Sequence, residues 1–368
     1  MVPVLWALRS AGHDVRVAAP PFFASTVLQA GLPVVACSSQ VTEESSLRPT
    51  AMEKTPVSPS NGADVLGIHR RFTRIAHAMG DDVEELTRWW APDVVISDSM
   101  DVAGRRVASA HGLPHVEHRW GLAIPDEPRR LSAEDVFGEE SREWPGMGEK
   151  PSALVLDPCP PTLQRPDARP EFPVRYVPFN GPALLSRRPA ASAPGRPRVV
   201  ITLGTIVSAD PDAGALLRSA VDAAERLGAE VVVASDRRTV PEDLTRRVPV
   251  ARWLPIGLVA GECDLVIHHG GSGTMMSALA CGRPQVLSPA FLDQCDNAER
   301  IEAVGAGRVV ERSYATCAGF EQAMREVLTD PAFRLSAESL QAEIFQAPPP
   351  VVAAQAIAEI ARNVHVSP

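Results

Sequence analysis

Residues 264–282 of this chain, DLVIHHGGSGTMMSALACG, constrain its fold more than any other stretch. DLVIH (264–268) is apolar and β-branched, as a strand buried on both faces requires, and TMMSALACG reads as a helix. The glycines of HHGGSGT (268–274) therefore occupy a strand-to-helix turn. Such a turn presents backbone N–H groups at the positive end of a helix and makes a site for phosphate. No Lys follows the second glycine pair, which excludes a Walker A loop. Nor is the pattern GxGxxG, the dinucleotide fingerprint. Gly270, Gly271, Ser272, Gly273 and Thr274 would supply a cradle for a diphosphate, with side-chain donors from Thr274 and His269. The same residues would also suit a tight turn with no ligand. His268 is expected to end the strand in the core. One helix and one strand further on, FLDQ (291–294) carries Asp293 and Gln294, an acceptor–donor pair suited to sugar hydroxyls but also common on surfaces.

Strand-like and helical runs alternate from end to end, which predicts an α/β fold with parallel sheets. Strand candidates in the first half are VRVAA (15–19), PVVAC (33–37), DVVIS (93–97), PHVEH (114–118) and ALVL (153–156). Val65, Ile68, Phe72, Ile75, Met79, Val83, Leu86 and Trp90 step by three and four and predict an amphipathic helix. Segment 38–62 reads as a long loop and 121–150 as irregular chain. NGPALLSRRPAASAPGRP (180–197) has the composition of a linker. Beyond it VVITL (199–203), EVVVA (230–234), DLVIH (264–268) and QVLS (285–288) are strands, and 320–362 is mainly helical with a break at Pro348–Pro350.

At 368 residues the chain can hold two domains with substantial cores, and its net charge of −9 argues against nucleic acid or an anionic membrane as the main partner. No apolar run has the length of about 20 residues needed to span a bilayer. The six cysteines lack metal-ligand spacing and read as the reduced thiols of a cytoplasmic protein.

The ordered set Trp253, Leu254, Pro255, His269, Gly271, Thr274, Gly282, Pro284, Pro289, Asp293 and Gln294 resembles the nucleotide-sugar-dependent GT-B glycosyltransferases, closest to actinobacterial antibiotic enzymes that transfer deoxysugars to macrolides and anthracyclines. The resemblance implies two Rossmann-like domains facing a cleft. Residues 1–180 would bind the acceptor, 181–197 would link, and 198–368 would bind the nucleotide sugar and carry the C-terminal helices. Trp253 would stack on the nucleobase while the Leu254 backbone reads its edge; a core indole is the other reading of Trp253. Thr205 would join the donor site, His269 would contact the diphosphate, and Asp293 with Gln294 would bind the hexose. Plant relatives carry a ribose-binding Glu where this chain has Ser277. Losing that carboxylate favours a thymidine diphosphate donor.

In the first half, Asp98 matches the residue that orients the catalytic base in this family, with a helix N-cap as its alternative role. PHVEHRWG (114–121) and VLDPCPPTLQ (155–164) resemble family stretches expected to reach the cleft. Arg119 and Trp120 are acceptor-side candidates there, an ion pair and a core indole being the other readings.

Relatives hold the base, a His, on a loop after their first strand, just before a segment like MVPVLWALRSAGHDVRVAAP. This chain starts with that segment, so the His and the strand are expected upstream of Met1. The expected activity is inverting transfer of a deoxysugar from its thymidine diphosphate donor to a polyketide-type hydroxyl, with no metal and no cofactor. Expected partners are the nucleotide sugar and a hydrophobic aglycone, with a helper protein and a homodimer as candidates. A non-catalytic sugar-nucleotide-binding protein and a nucleotide-sugar epimerase of the same fold are the rival functions.

Overall fold

The computed structural model describes residues 1–38, 41–42, 62–148, 150–183, 195–204, 212–235, 240–290 and 293–364. Most of the expected loop at 38–62, most of the expected linker, Thr205, and the Phe291–Leu292 half of FLDQ lie outside the described residues.

From the start, the chain runs α1 (Val2–Ser10), β1 (Val17–Ala19), α2 (Pro21–Gln29), β2 (Val34–Ala36), α3 (Gly62–Trp90), β3 (Val95–Asp98), α4 (Ala103–Ala110), β4 (His115–His118), α5 (Asp126–Phe137), β5 (Leu154–Asp157) and β6 (Phe172–Pro173). It continues through β7 (Arg198–Thr202), α6 (Ala213–Arg226), β8 (Glu230–Ala234), α7 (Glu242–Arg247), β9 (Val250–Ala251), α8 (Ile256–Val259), β10 (Leu265–His268), α9 (Ser272–Ala280), β11 (Gln285–Leu287), α10 (Asp293–Ala303), β12 (Gly307–Val309), α11 (Cys317–Thr329), α12 (Pro331–Gln346) and α13 (Pro350–Val364). The nine expected strands form. The strands β6, β9 and β12, of two or three residues each, are not among those expected.

Segment 121–150 is not irregular throughout: α5 forms within it. Pro125 at its N-cap and Asp126 and Glu127 in its first turn suit a helix start. Its polar face is held against α3, where Thr73 Oγ1 and Ser132 Oγ lie 2.6 Å apart and Arg70 Nε donates to Asp135 at 2.7 Å.

Two compact units divide the chain. One comprises Met1–Pro158, Ala168–Arg175 and Ala347–Pro368; the other comprises Cys159–Asp167 and Tyr176–Gln346. The final helix α13 thus belongs to the first unit, where it packs on α1.

In the first unit β1 pairs with β2, and β3-β4-β5-β6 form a separate four-stranded sheet; all the pairings are parallel. No strand among the described residues pairs with the other side of β1 or of β3. Under the four-stranded sheet lies a charged knot. Arg105, fully buried, donates to Glu117 Oε2 at 2.7 Å and to the Pro145 carbonyl at 2.8 Å. Ser99 Oγ donates to Glu117 Oε1 at 2.8 Å, and Arg129 approaches from α5. Burial alone would raise the Glu117 carboxyl, but Arg105 and Arg129 hold it down at about 2.

The second unit is one parallel sheet in the order β12-β11-β10-β7-β8-β9. Every residue of β7 and β10 is buried, as helices on both faces demand. The chain winds outward from β7 to β9, then returns to start again at β10 beside β7. That reversal makes a crevice outside the carboxyl ends of β7 and β10, the place where doubly wound sheets bind ligands.

Candidate functional site

The glycine turn leaves β10 at this crevice. Gly270 has φ +91°, and a Cβ there would lie 2.8 Å from the Gln294 carbonyl. Only glycine meets both conditions. Gly271 is the N-cap of α9 and brings no side-chain cap of its own. The Asp293 carboxylate reaches the Ser272 N–H, and an anion at this helix end would meet the remaining field of the first turn beside it.

His269 stands at the centre. Its ring lies between Gly204, just past β7, and Gly271: a Cβ at Gly204 would fall 2.5 Å from the imidazole, and one at Gly271 would also overlap it. Although the residue is only 9% exposed, its Nδ1 has no hydrogen-bond partner among the described residues. Burial, and then the charge of Arg312, lowers its pKa to about 4, so the ring is neutral at ordinary pH. His268 instead faces the core. Its Nε2 bonds Gln285 at 2.6 Å and its Nδ1 accepts the Gly270 N–H at 3.0 Å, fixing the start of the turn.

Helix α10 closes the other side. Asp293 accepts from Ser272 Oγ at 3.1 Å, and burial raises its carboxyl to about 6. Gln294 is buried, and its Oε1 accepts the Ala290 N–H at 3.0 Å. Asn297 escapes a motif-based reading. Fully buried, its Nδ2 reaches the Gly270 carbonyl at 2.8 Å and Ser272 Oγ at 3.0 Å. The available signal was its spacing, four residues after Asp293 and so on the same helix face. Thr274 lies half-buried in the first turn of α9, Leu254 packs on the apolar cluster of Ile256 and Ala278, and Trp253 is 55% exposed beyond β9. Its ring faces Gly181.

In the first unit Asp98 ends β3, beside His118 in register on β4. Asp98 Oδ1 accepts the N–H groups of Met100 at 2.7 Å and Asp101 at 3.1 Å. Capping of α4 falls to Asp101, which accepts from Ala103 and Gly104 at 3.0 Å. Burial, reinforced by the Asp101 carboxylate, raises Asp98 to about 6. Arg119 pairs with Asp157 at 2.8 Å and reaches Glu171 at 3.6 Å. Trp120 keeps a buried indole N–H without a partner among the described residues.

A doubly wound sheet with a glycine turn at its reversal point, in a chain with a second α/β unit, has the architecture of GT-B glycosyltransferases. The solved spinosyn rhamnosyltransferase SpnG complexed with thymidine diphosphate superposes with a TM-score of 0.82 at 29% identity, covering 97% of this chain and 95% of that one. The chain belongs to the Erythromycin biosynthesis protein CIII-like family, whose N-terminal domain matches residues 6–204 and whose C-terminal domain matches 218–360. An L-demethylnoviosyl transferase of Streptomyces niveus is 35% identical, with 99% of this chain and 95% of that protein aligned. The TDP-daunosamine transferase DnrS of Streptomyces peucetius is 30% identical over 95% of this chain and 91% of its own. The protein is a glycosyltransferase, which sets aside the epimerase and the non-catalytic binding protein. No helix among the described residues is long and apolar enough to cross a membrane.

Proposed function

We propose that the enzyme transfers a deoxysugar, with inversion, from a thymidine diphosphate donor to a hydroxyl of a polyketide-type natural product in the cytoplasm. The observation that carries this reading is the glycine turn with His269 at the β7–β10 reversal. A helix N-terminus and a neutral imidazole whose Nδ1 has no partner among the described residues suit the diphosphate. Trp253 offers an exposed face for the base, and Leu254 follows it. Asp293 and Gln294 sit across the turn for the hexose. Ser277 is neutral and already bonded, which gives no carboxylate for a ribose 2′-hydroxyl. The thymidine diphosphate in the SpnG structure and the TDP-sugar in the name of DnrS support the same donor class.

In this reading the second unit holds the donor and the first holds the acceptor. Asp98 orients a base that takes the proton of the acceptor hydroxyl as that oxygen attacks the anomeric carbon. The bond to the diphosphate oxygen breaks, and the leaving charge is balanced by the α9 N-terminus and its neutral donors. Calorimetry with thymidine and uridine diphosphates tests the donor, and mass spectrometry of reactions with TDP-deoxysugars and polyketide aglycones tests the transfer. Tighter binding of the uridine nucleotide, or product from UDP-glucose alone, would overturn the reading.

A further inference from the structure

Between the exposed indole and the glycine turn runs a six-residue strap, Tyr176–Gly181, which none of the expected site residues includes. Tyr176 Oη lies 3.1 Å from the Gly273 carbonyl and 3.2 Å from Ser277 Oγ, both in the first turns of α9. Ser277 Oγ itself donates to the Gly273 carbonyl at 2.6 Å. Asn180 Nδ2 donates to Ser277 Oγ at 3.2 Å, while its Oδ1 accepts the N–H of Gly257, in α8, at 2.8 Å. Pro178 fills the space beside Gly257, where a Cβ would overlap its ring. Gly181, at φ +81°, then meets the Trp253 ring, and a Cβ there would lie 3.2 Å from Cζ2.

One short segment thus touches α9 behind the glycine turn, the start of α8 and the platform indole. The partners of Tyr176 and Asn180 are backbone groups and a fully buried serine hydroxyl. A ligand with a phosphate end and a base end gains from both subsites only if their separation is fixed in advance, because rigid placement removes the ordering cost of binding.

We propose that Tyr176 and Asn180 are positioning residues that hold the phosphate turn and the Trp253 platform at the separation a nucleoside diphosphate spans. This rests on the donor-site reading above. The strap acts on the distance between two subsites and touches neither phosphate nor base.

A double-mutant cycle on thymidine diphosphate affinity tests the proposal, with Tyr176→Phe and Trp253→Ala combined and calorimetry as the readout. If the strap couples the subsites, Tyr176→Phe weakens binding about three- to tenfold when Trp253 is present, the effect of one lost hydrogen bond. In the Trp253→Ala background there is no second subsite to align, and the same change costs less than about twofold. Asn180→Ser, which shortens the side chain away from both of its partners, repeats the test from the other end of the strap, and melting temperatures check that each variant is folded. Equal losses in both backgrounds would overturn the proposal and make Tyr176 a support of the glycine turn alone. No loss in either background would overturn it as well. A parent protein that binds no thymidine diphosphate would instead overturn the donor-site reading, and the strap's role with it.

Discussion

Ser272 and Asp293 are joined across the glycine turn: the serine hydroxyl that opens α9 donates to the carboxylate that opens α10, at 3.1 Å. Two helix N-termini meet at this contact, and the carboxylate takes a position where the field of both favours negative charge. A diphosphate bound at the turn would share that field with Asp293.

Replacing the carboxylate therefore separates two ligands. Asp293→Asn keeps the shape and one acceptor but removes the charge. A complete TDP-sugar should bind about 1.5–3 kcal/mol more weakly, the usual scale for a charged hydrogen-bond partner. Bare thymidine diphosphate, without hexose hydroxyls and relieved of a like charge, should bind at least as well as before. Calorimetry with both ligands checks this, and equal weakening of the two would assign Asp293 to the turn and not to the sugar.

The same residue gives a signature in stability. Burial raises Asp293 from 3.8 to about 6, so its ionisation opposes folding. Its contribution is fully present below pH about 4 and is lost as pH rises through about 6. Relative to Asp293→Asn, the parent should lose roughly 2 kcal/mol of stability between pH 4 and pH 7. Urea unfolding of both proteins across that range measures the difference, and a pH-independent gap would mean that the carboxyl titrates normally.

Glu117 behaves in the opposite sense. Despite its burial, Arg105 and Arg129 hold it down from 4.5 to about 2. Its stabilising contribution is present above pH about 4.5 and is lost as pH falls toward 2. Glu117→Gln leaves two buried guanidinium groups facing a neutral amide and should cost about 3–5 kcal/mol at neutral pH. The variant should also lose less stability than the parent on acidification from pH 5 to pH 3. Denaturant melts at those pH values are the check, and a loss under 1 kcal/mol at pH 7 would show that water reaches the knot.

The glycine turn could be read from sequence because its determinants are local. A buried strand, glycines at the bend and a helical run occupy nineteen consecutive residues, and no long-range contact is needed to place them. Asp293 followed from its fixed interval. Asn297 carried a weaker sign, since an asparagine on a polar helix face is common and its burial depends on a turn twenty-five residues earlier. Tyr176 and Asn180 gave no local sign, for they act through α8 and α9, about eighty to a hundred residues away. Helix α13 returning to α1 is equally non-local. The helix within 121–150 was hidden by its prolines, which read as breakers when Pro125 in fact starts it.

The glycine turn itself can be tested where the protein leaves least room. A Cβ at Gly271 would overlap the His269 ring, which Gly204 confines from the other side, so the imidazole cannot retreat without disturbing the chain after β7. Gly271→Ala should therefore tilt the ring and move the first amides of α9. A ligand at one hundred times its dissociation constant stabilises the parent by about 2.7 kcal/mol through mass action. Thymidine diphosphate at a concentration that produces this rise in the parent's melting temperature should give little or none in Gly271→Ala. Gly261→Ala is the control, since nothing lies within 4 Å of a Cβ there and it stands outside the site. It should respond to the nucleotide as the parent does. A full response from Gly271→Ala would mean that the diphosphate binds elsewhere, because the displaced imidazole and shifted amides could not both leave its affinity intact.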